Sequence, residues 1–532
     1  MIVIVGFMGA GKTTVGHLLA EKLGLPFVDT DLVIEQRTGR SVRQIFAEDG
    51  EPAFRILEDE ITTELLGGPD AVLALGGGGV GNPATQRALR GSQVIYLQVG
   101  YEESMLRVAH DEYRPLLRAP DLQAIFRRRL ASYEGVATQI VATDGRRPEA
   151  ICLDILERLA ELPSAPPGTA SVLVSCTGGT YNVHVGAGLL ADADHLLPAL
   201  PHARTAVLLA AGPDKDTVAG VSGALRRRGL DVRWIEVPDR EETKDLATVA
   251  RVAGDLADLA VHRDDLIVGV GGEVVCDLSG FLASTYNRGM PLVLFPTTLV
   301  AQADAAVGGK ASLNLRQGRN LVGTVHQPVA VVADVALAAE RPSHEYRAGL
   351  AEIVKHALIS GGDLISLLDD QAAGLRDGNV AVLAEAVTRS VTVKAAIVSS
   401  DEREQGNRLY LNYGHTFGHA IEQVLGLDSG DDGAATAVGM MAAAYLARRQ
   451  ERIPDELVGL HRRLLEDMHL PTQGTFDLTG LRDAWLRDKK YQDGARFVVL
   501  NGLGRPEAGV PADDDSLAAV LRDLARPGVT GR

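Results

Sequence analysis

Eight residues near the start of the chain, Gly6-Phe7-Met8-Gly9-Ala10-Gly11-Lys12-Thr13, have the types and spacing of a loop that handles phosphates. Glycine turns let backbone N–H groups cradle phosphate oxygens, and the N-terminus of a following helix adds its positive end. Lys12 would neutralise the outer phosphates and the Thr13 hydroxyl would ligand Mg2+, so Gly9, Ala10, Gly11, Lys12, Thr13 and Thr14 are read as an ATP site. An apolar run over 2–5 precedes the loop and a helical pattern over 13–23 follows it, the context this motif requires. The loop alone does not separate a kinase from an ATPase or a GTPase, so the acceptor chemistry must come from other residues. Asp29 and Asp31, in VDTD, are expected at a strand end on one face. There one carboxylate would support the magnesium shell and the other would orient an acceptor hydroxyl, with helix N-capping the competing role, plausible for Asp31 alone.

Taken in order, GFMGAGKTT, VDTDLVIE, RTGRSVRQIFAEDGEPAFR, LALGGGGV, YRPLL and FRRRLASYEGVA resemble shikimate kinase over the whole first domain. The resemblance implies ATP and Mg2+ as cofactors and shikimate as the acceptor, held by Asp31, Arg55, Gly77, Gly78 and Arg129. It places Arg107 near the nucleotide and makes Arg114, in YRPLL, the lid arginine that acts with Lys12 and Asp31. The chemistry agrees, because Arg55 and Arg129 are the residue type that clamps a carboxylate through paired N–H groups.

Further along, GVGGEVVCDLSGFLASTYNRG, PTTLVAQADAAVGGK, GRNLVG, YRAGLAEIVKHALI, SVTVKAAIVSSDEREQG and LNYGHTFGHAIE resemble 3-dehydroquinate synthase over almost all of 171–505. That resemblance implies NAD and a divalent metal, Zn2+ or Co2+, and cyclisation of a heptulosonate phosphate to 3-dehydroquinate with release of phosphate. Glu241, Lys244, Gly271, Gly272, Asp277, Thr297, Thr298 and Lys310 match its cofactor positions. Glycines directly after a strand allow a pyrophosphate close to the backbone. Substrate phosphate and carboxylate call for cations, and Arg288, Lys310, Arg319, Asn320, Lys355, Lys394 and Arg408 match, with Asp304, Asn412 and His419 as polar partners. Lys355, Lys394 and His419 are the implied catalytic groups, and Lys489 or Lys490 adds one more cation. Glu352 and Lys355, three residues apart on a helical pattern, are expected to face one cavity.

For the metal, Glu352 and His415 match two of three protein ligands; the third, a histidine in the family pattern, is here Asp432, counted back from Gly439-Met440. A carboxylate is a competent zinc ligand. Glu273 and Cys276 stand where the pattern has glycines, and Arg319 where it has a lysine. Two readings stay open at this point: two working sites, or a working kinase joined to an inactive or altered-substrate sugar phosphate cyclase.

The elements that must position these groups follow from periodicity. Short apolar runs alternate with amphipathic helical stretches, which signals parallel sheets with crossover helices. The expectation is an α/β chain: a P-loop kinase domain with a parallel sheet over 1–162, a proline-rich linker over 163–170, a Rossmann-like α/β subdomain that binds NAD over 171–335, and an α-helical metal- and substrate-binding subdomain over 336–532. From 336 onward strands fade and helical patterns dominate. The net charge of −17 argues against nucleic acid and anionic membranes as partners, leaving small molecules. Three scattered cysteines, no export leader and no membrane-length apolar run point to the cytoplasm. The synthase resemblance also implies a homodimer through that domain.

Overall fold

The structure, a computed structural model, describes residues 1–89, 92–108, 122–137, 139–160, 169–177, 179–198, 200, 202–212, 215–340, 343–425, 432–486 and 494–525. By compactness the chain divides into two units. The first is Met1–Leu162 with Leu173–Thr180 and Ala396–Ser400; the second is Pro163–Val172, Tyr181–Ala395 and Asp401–Arg532.

In the first unit, β1 (Ile2–Val5), β2 (Phe27–Asp29), β3 (Val72–Ala74), β4 (Gln93–Gln98) and β5 (Gln139–Ala142) form a parallel sheet in the order β2-β3-β1-β4-β5. Helices cover both faces, so β1 reads as an unbroken apolar run rather than an alternating one. The chain leaves β1 between its two neighbours β3 and β4, where the strand order reverses, and this is where open α/β sheets form their ligand crevice. Gly9 and Gly11 adopt φ of 75° and 90°, a left-handed backbone that only glycine takes without strain. Gly11 ends the loop as the N-cap of the helix Lys12–Leu23. A small satellite core of Ile34, Ile45, Phe54 and Ile61 fixes the helices Thr30–Thr38, Val42–Glu48 and Gly50–Leu66 to one another.

Next in the chain come β6 (Ala170–Cys176), which the division splits at Leu173, and β7 (Gly179–Gly186), most of which belongs to the second unit; wholly in that unit are β8 (Thr205–Ala210), β9 (Asp231–Glu236), β10 (Leu266–Gly271), β11 (Leu292–Pro296), β12 (Lys310–Leu315), β13 (Gly318–Val325) and β14 (Ala330–Asp334). Parallel strands lie in the order β7-β14-β11-β10-β8-β9, and every residue of the central β10 is buried. The hairpin β12–β13 stands apart from that sheet. Five long helices follow: Ser343–Ser360, Val380–Ser400, His415–Leu425, Asp432–Arg449 and Asp455–Asp467. Helices dominate this part, as the sequence suggested, and it also holds one strand pair that the sequence reading did not place. β15 (Arg496–Leu500) and β16 (Pro506–Pro511) pair as an antiparallel hairpin, with Phe497 stacked on Phe417 at 4.5 Å. One five-residue apolar strand after helical segments is too short a signal for periodicity to assign. The α/β architecture with a helical C-terminal part is otherwise the expected one; most of the linker over 163–170 lies outside the described residues.

Candidate active sites

In the first unit, the Lys12 ammonium donates to the carbonyls of Gly6, at 2.9 Å, and Phe7, at 3.4 Å, so the loop's own oxygens hold the charge over the cradle. The Thr13 hydroxyl donates to Asp29 Oδ2 at 2.9 Å, which sets a hydroxyl and a carboxylate side by side, the ligand types magnesium takes. Asp29 and Asp31 do not share a strand face. Asp29 ends β2 and accepts from the Asp31 N–H at 3.1 Å as the N-cap of the helix Thr30–Thr38, whereas Asp31 sits in that helix's first turn. The capping role falls to Asp29, the residue that also meets Thr13, and leaves Asp31 turned to the glycines after β3.

Those glycines lie against several side chains of the first unit. A Cβ on Gly76 would lie 2.6 Å from Asp31 Oδ1 and also strike Glu58 Oε1; one on Gly78 would strike the Arg55 guanidinium; one on Gly77 would lie 3.5 Å from Arg129 Nη1. At Gly76 and Gly78 only hydrogen leaves the side chains where they are, whereas at Gly77 a Cβ would make an ordinary contact. Arg55 is gripped by Glu58 at 2.5 Å and Glu51 at 2.9 Å. Burial raises the Glu58 pKa, against the opposing pull of Arg55. Arg129 lies over the Phe7 ring at 6.0 Å. The Tyr133 hydroxyl donates to the Gly77 carbonyl, and burial pushes its pKa up to about 12, so it stays a donor. Arg107 bonds the Gly9 carbonyl at 3.2 Å and the Thr143 carbonyl at 2.6 Å, tying the phosphate loop to the strand edge. Arg114 lies outside the described residues.

The second unit encloses a cavity of about 1680 Å3 between the β10 end, the β12–β13 hairpin and the helices that carry Glu352, Lys394 and His415. Of the sequence-nominated cofactor residues, Glu241, Gly272, Asp277, Thr298 and Lys310 line it. Lys244 is buried beside it, paired with Asp277 at 2.5 Å. Gly271 and Thr297 lie beneath the lining, joined by a Thr297 N–H to Gly271 carbonyl bond of 2.9 Å. Asp304, Arg319, Asn320, Lys394 and Arg408 line it too, as do Asn412, His415 and His419. Lys310 pairs with Glu404 at 2.7 Å, Asn412 bonds the same carboxylate at 2.9 Å, and Arg319 meets Glu241 at 3.1 Å. Arg408 is 1% exposed and donates to the carbonyls of Glu402 and Gly308 at 2.5 and 2.7 Å, so it also braces the wall. Arg288 is exposed, has φ of 64°, and stands outside the lining.

Beneath the cavity lies a buried ion network. Asp304 accepts from Lys355 at 3.3 Å and from Lys394 by a shorter contact, and Lys355 also pairs with Glu352. Lys355, expected in the cavity with Glu352, is 1% exposed and lies under it, because two carboxylates draw its ammonium inward. Burial would raise the Asp304 pKa, but Lys355 and Lys394 override it and hold the carboxylate well below its ordinary value. The two lysines are driven apart: burial opposes both charges, yet Asp304 and Glu352 raise Lys355, whereas Lys394 ends lowered. Among the described residues, Asp304, Glu352 and His356 have ligand atoms within 4.8 Å of one another. With two ammoniums on Asp304, that trio is an ion network rather than a metal shell.

The metal-capable atom set is instead Glu352 with His415, whose Nε2 is 3.7 Å from Glu352 Oε1. His415 Nδ1 donates to the Tyr413 carbonyl at 3.2 Å, which leaves the Nε2 lone pair toward Glu352. Burial, with Lys355 and His419 adding to it, holds the His415 pKa well below its ordinary value, so the ring is neutral and ready to ligand. Asp432 starts the helix Asp432–Arg449, and its side chain lies outside the described residues, as do Lys489 and Lys490.

Several contributors escaped the sequence reading. Tyr413 and His461 form one chain: His461 Nδ1 donates to the Leu457 carbonyl at 2.6 Å, so Nε2 accepts from the Tyr413 hydroxyl at 2.7 Å. This fixes the turn that presents His415. The available signal was the Tyr immediately before Gly414-His415; nothing marked His461, 48 positions beyond that Tyr, as its partner. Glu236, at the end of β9, also lines the cavity. Glu58 was legible as a carboxylate one helical turn from Arg55.

A family model for shikimate kinase matches residues 8–160, and models for the N-terminal and C-terminal parts of 3-dehydroquinate synthase match 234–348 and 349–491. A 3-dehydroquinate synthase of Rhodococcus opacus is 40% identical over 357 residues, 67% of this chain and 95% of that protein. One of Thermobifida fusca is 41% identical over 357 residues, 65% of this chain and 95% of its own length. In three dimensions the chain is similar to 2-deoxy-scyllo-inosose synthase, solved with carbaglucose-6-phosphate, NAD+ and Co2+: TM-score 0.60, 26% identity, 67% of this chain and 100% of that one. The chain therefore belongs to the 3-dehydroquinate synthase family and carries, over residues 8–160, a shikimate kinase domain.

Proposed function

We propose that the chain is a bifunctional enzyme of aromatic biosynthesis. One site transfers the ATP γ-phosphoryl group to shikimate, giving shikimate 3-phosphate; the other cyclises a heptulosonate phosphate to 3-dehydroquinate and releases phosphate. The division of labour is 1–162 for the kinase, 163–170 as linker, 171–335 for NAD and 336–532 for metal and substrate. A cytoplasmic homodimer through the synthase domain fits this reading.

In the kinase site Lys12 neutralises the outer phosphates and Thr13 with Asp29 supports Mg2+. Asp31 receives the acceptor hydroxyl, Arg55 and Arg129 clamp the shikimate carboxylate over Gly77 and Gly78, and Arg107 and Arg114 attend the nucleotide. In the synthase site, Glu352, His415 and Asp432 would hold Zn2+ or Co2+, and the β10 end with Glu241, Lys244 and Asp277 would hold NAD. When bound, the metal supplies a Lewis acid and NAD a reversible hydride acceptor. The chain's own work there is to bind the phosphate with Lys310, Asn320 and Arg319, to seat the substrate against Arg408, Asn412 and His419, and to exclude water. Lys394, the lysine with the lowered pKa, exchanges a proton while Lys355 keeps its own.

The observation that carries the second activity is the neutral His415 Nε2 set 3.7 Å from Glu352 at the wall of a cavity that also holds Lys394 and Asp304. The test is product analysis with purified full chain, NAD, Zn2+ or Co2+ and the heptulosonate phosphate. Stoichiometric 3-dehydroquinate and phosphate are expected; phosphate absent at saturating metal and NAD would leave only the kinase.

A further inference from the structure

A tight turn of glycines follows β3 in the first unit, and one side chain holds its central peptide. The Gly79 N–H donates to the Gly76 carbonyl at 3.0 Å, so Gly77 and Gly78 are the middle residues of a β-turn. Gly78 has φ of −111° and ψ of −9°, the conformation of a type I turn. A type II turn keeps the same closing hydrogen bond with the central peptide turned over, and it needs a positive φ at its third residue, which glycine adopts without strain. The carbonyl and N–H of a trans peptide stand on opposite edges of one plane, so that flip would reverse the Gly77 carbonyl and the Gly78 N–H together. The Tyr133 hydroxyl donates to the Gly77 carbonyl, which faces it in the type I form. Tyr133 is itself firmly placed: it is 1% exposed and its ring stacks on Tyr96 of β4 at 5.2 Å. On the same face of the helix Leu122–Val136, Phe126 meets Phe7 of the phosphate loop edge to face at 5.0 Å. At the other end of the turn the Gly76 N–H donates to the Thr30 hydroxyl at 2.9 Å, in the helix that carries Asp31.

We infer that Tyr133 is a positioning residue of the kinase site: its hydroxyl selects the type I form of the Gly76–Gly79 turn and so sets the direction of the Gly78 N–H toward the acceptor. The inference rests on the reading of this unit as a shikimate kinase with Gly77 and Gly78 in the acceptor pocket. Tyr133 touches neither substrate. Without its hydroxyl the central peptide samples both orientations, and the acceptor binds only the fraction with the N–H correctly placed, so its apparent affinity falls by that fraction. The phosphate loop keeps its own anchors, Lys12 on the Gly6 carbonyl and Phe126 on Phe7, so the nucleotide is indifferent to the change.

Steady-state kinetics of the full chain with Mg2+, ATP and shikimate, each substrate varied in turn, tests this with Tyr133→Phe, which deletes the hydroxyl and keeps the ring on Tyr96. The KM for shikimate is expected to rise about fivefold, as the loss of one net hydrogen bond predicts, while the KM for ATP stays within about twofold. KM does not depend on how much of the protein is folded, so a merely destabilised variant does not reproduce that split. If the variant phosphorylates shikimate with both KM values unchanged, or with both raised together, the hydroxyl only braces the fold; the inference is then wrong and the kinase reading stands. If the unaltered chain does not phosphorylate shikimate, the kinase reading fails and the inference falls with it.

Discussion

At the scale of single residues, the kinase pocket turns on charges held by partners rather than on charges exposed to solvent. Arg55 is fixed by Glu51 and Glu58 before any substrate arrives, so its contact with a carboxylate costs little further ordering. Arg55→Ala should leave folding intact and cut kcat/KM for shikimate roughly a hundredfold, about 3 kcal/mol, the usual loss for truncating a hydrogen-bonded charge pair. Steady-state kinetics checks this, with circular dichroism as the folding control. The sequence carried most of this pocket, since Lys12, Thr13, Asp31, Arg55 and Arg129 lie in contiguous motifs. It misplaced Asp29 and Asp31, because the strand ends two residues earlier than their joint role on one face requires. A boundary shift of one or two residues is invisible to periodicity and moves the capping role from Asp31 to Asp29.

At the scale of elements, a helix and a turn cooperate to aim His415. The helix Asp455–Asp467 contributes His461, whose Nε2 accepts from the Tyr413 hydroxyl, and the Tyr413 carbonyl accepts from His415 Nδ1. Tyr413→Phe deletes the donor and leaves a buried ring nitrogen unsatisfied, which should cost about 1–3 kcal/mol of stability. It should also weaken Zn2+ binding roughly tenfold by loosening the ring that presents Nε2. A chelator-competition titration beside a denaturant curve separates the two effects. This device could not be read from sequence, because its parts are brought together only by helix packing. The β15–β16 hairpin escaped for a related reason: its strands are short, and Phe497 earns its place by stacking on Phe417 of another element. By contrast, the helix Ser343–Ser360 was legible, yet the direction of Lys355 on it was not. Spacing put it on the Glu352 face, and two buried carboxylates then drew it below the cavity floor.

At the scale of the whole molecule, pH acts on the second unit through buried histidines, among them His184 and His461. Burial lowers both His184 and His461 to about 4. Their folded pKa values lie below the unfolded value near 6.5, so the unfolded chain binds more protons between the two. The stability they contribute is complete above about pH 6.5 and is lost as pH falls toward 4, by roughly 2–3 kcal/mol for each ring at the acid end. Trp234 and Trp485 both lie in this unit, so tryptophan fluorescence during thermal melts from pH 7 to 4 should show a falling midpoint. A flat midpoint would mean the rings titrate freely. The family resemblance, spread over motifs from the phosphate loop to the helix of His415, made both activities legible in outline; the side-chain partners that tune them were not. The most direct test of the account is a crossed assay of full-length protein, in which Lys12→Ala and His415→Ala are each measured for shikimate phosphorylation and for 3-dehydroquinate formation. The account predicts that the unaltered chain performs both reactions, that Lys12→Ala loses phosphorylation by roughly a thousandfold or more while it still forms 3-dehydroquinate, and that His415→Ala shows the reverse; an unaltered chain that phosphorylates shikimate but forms no 3-dehydroquinate with saturating NAD and Zn2+ or Co2+ would contradict it.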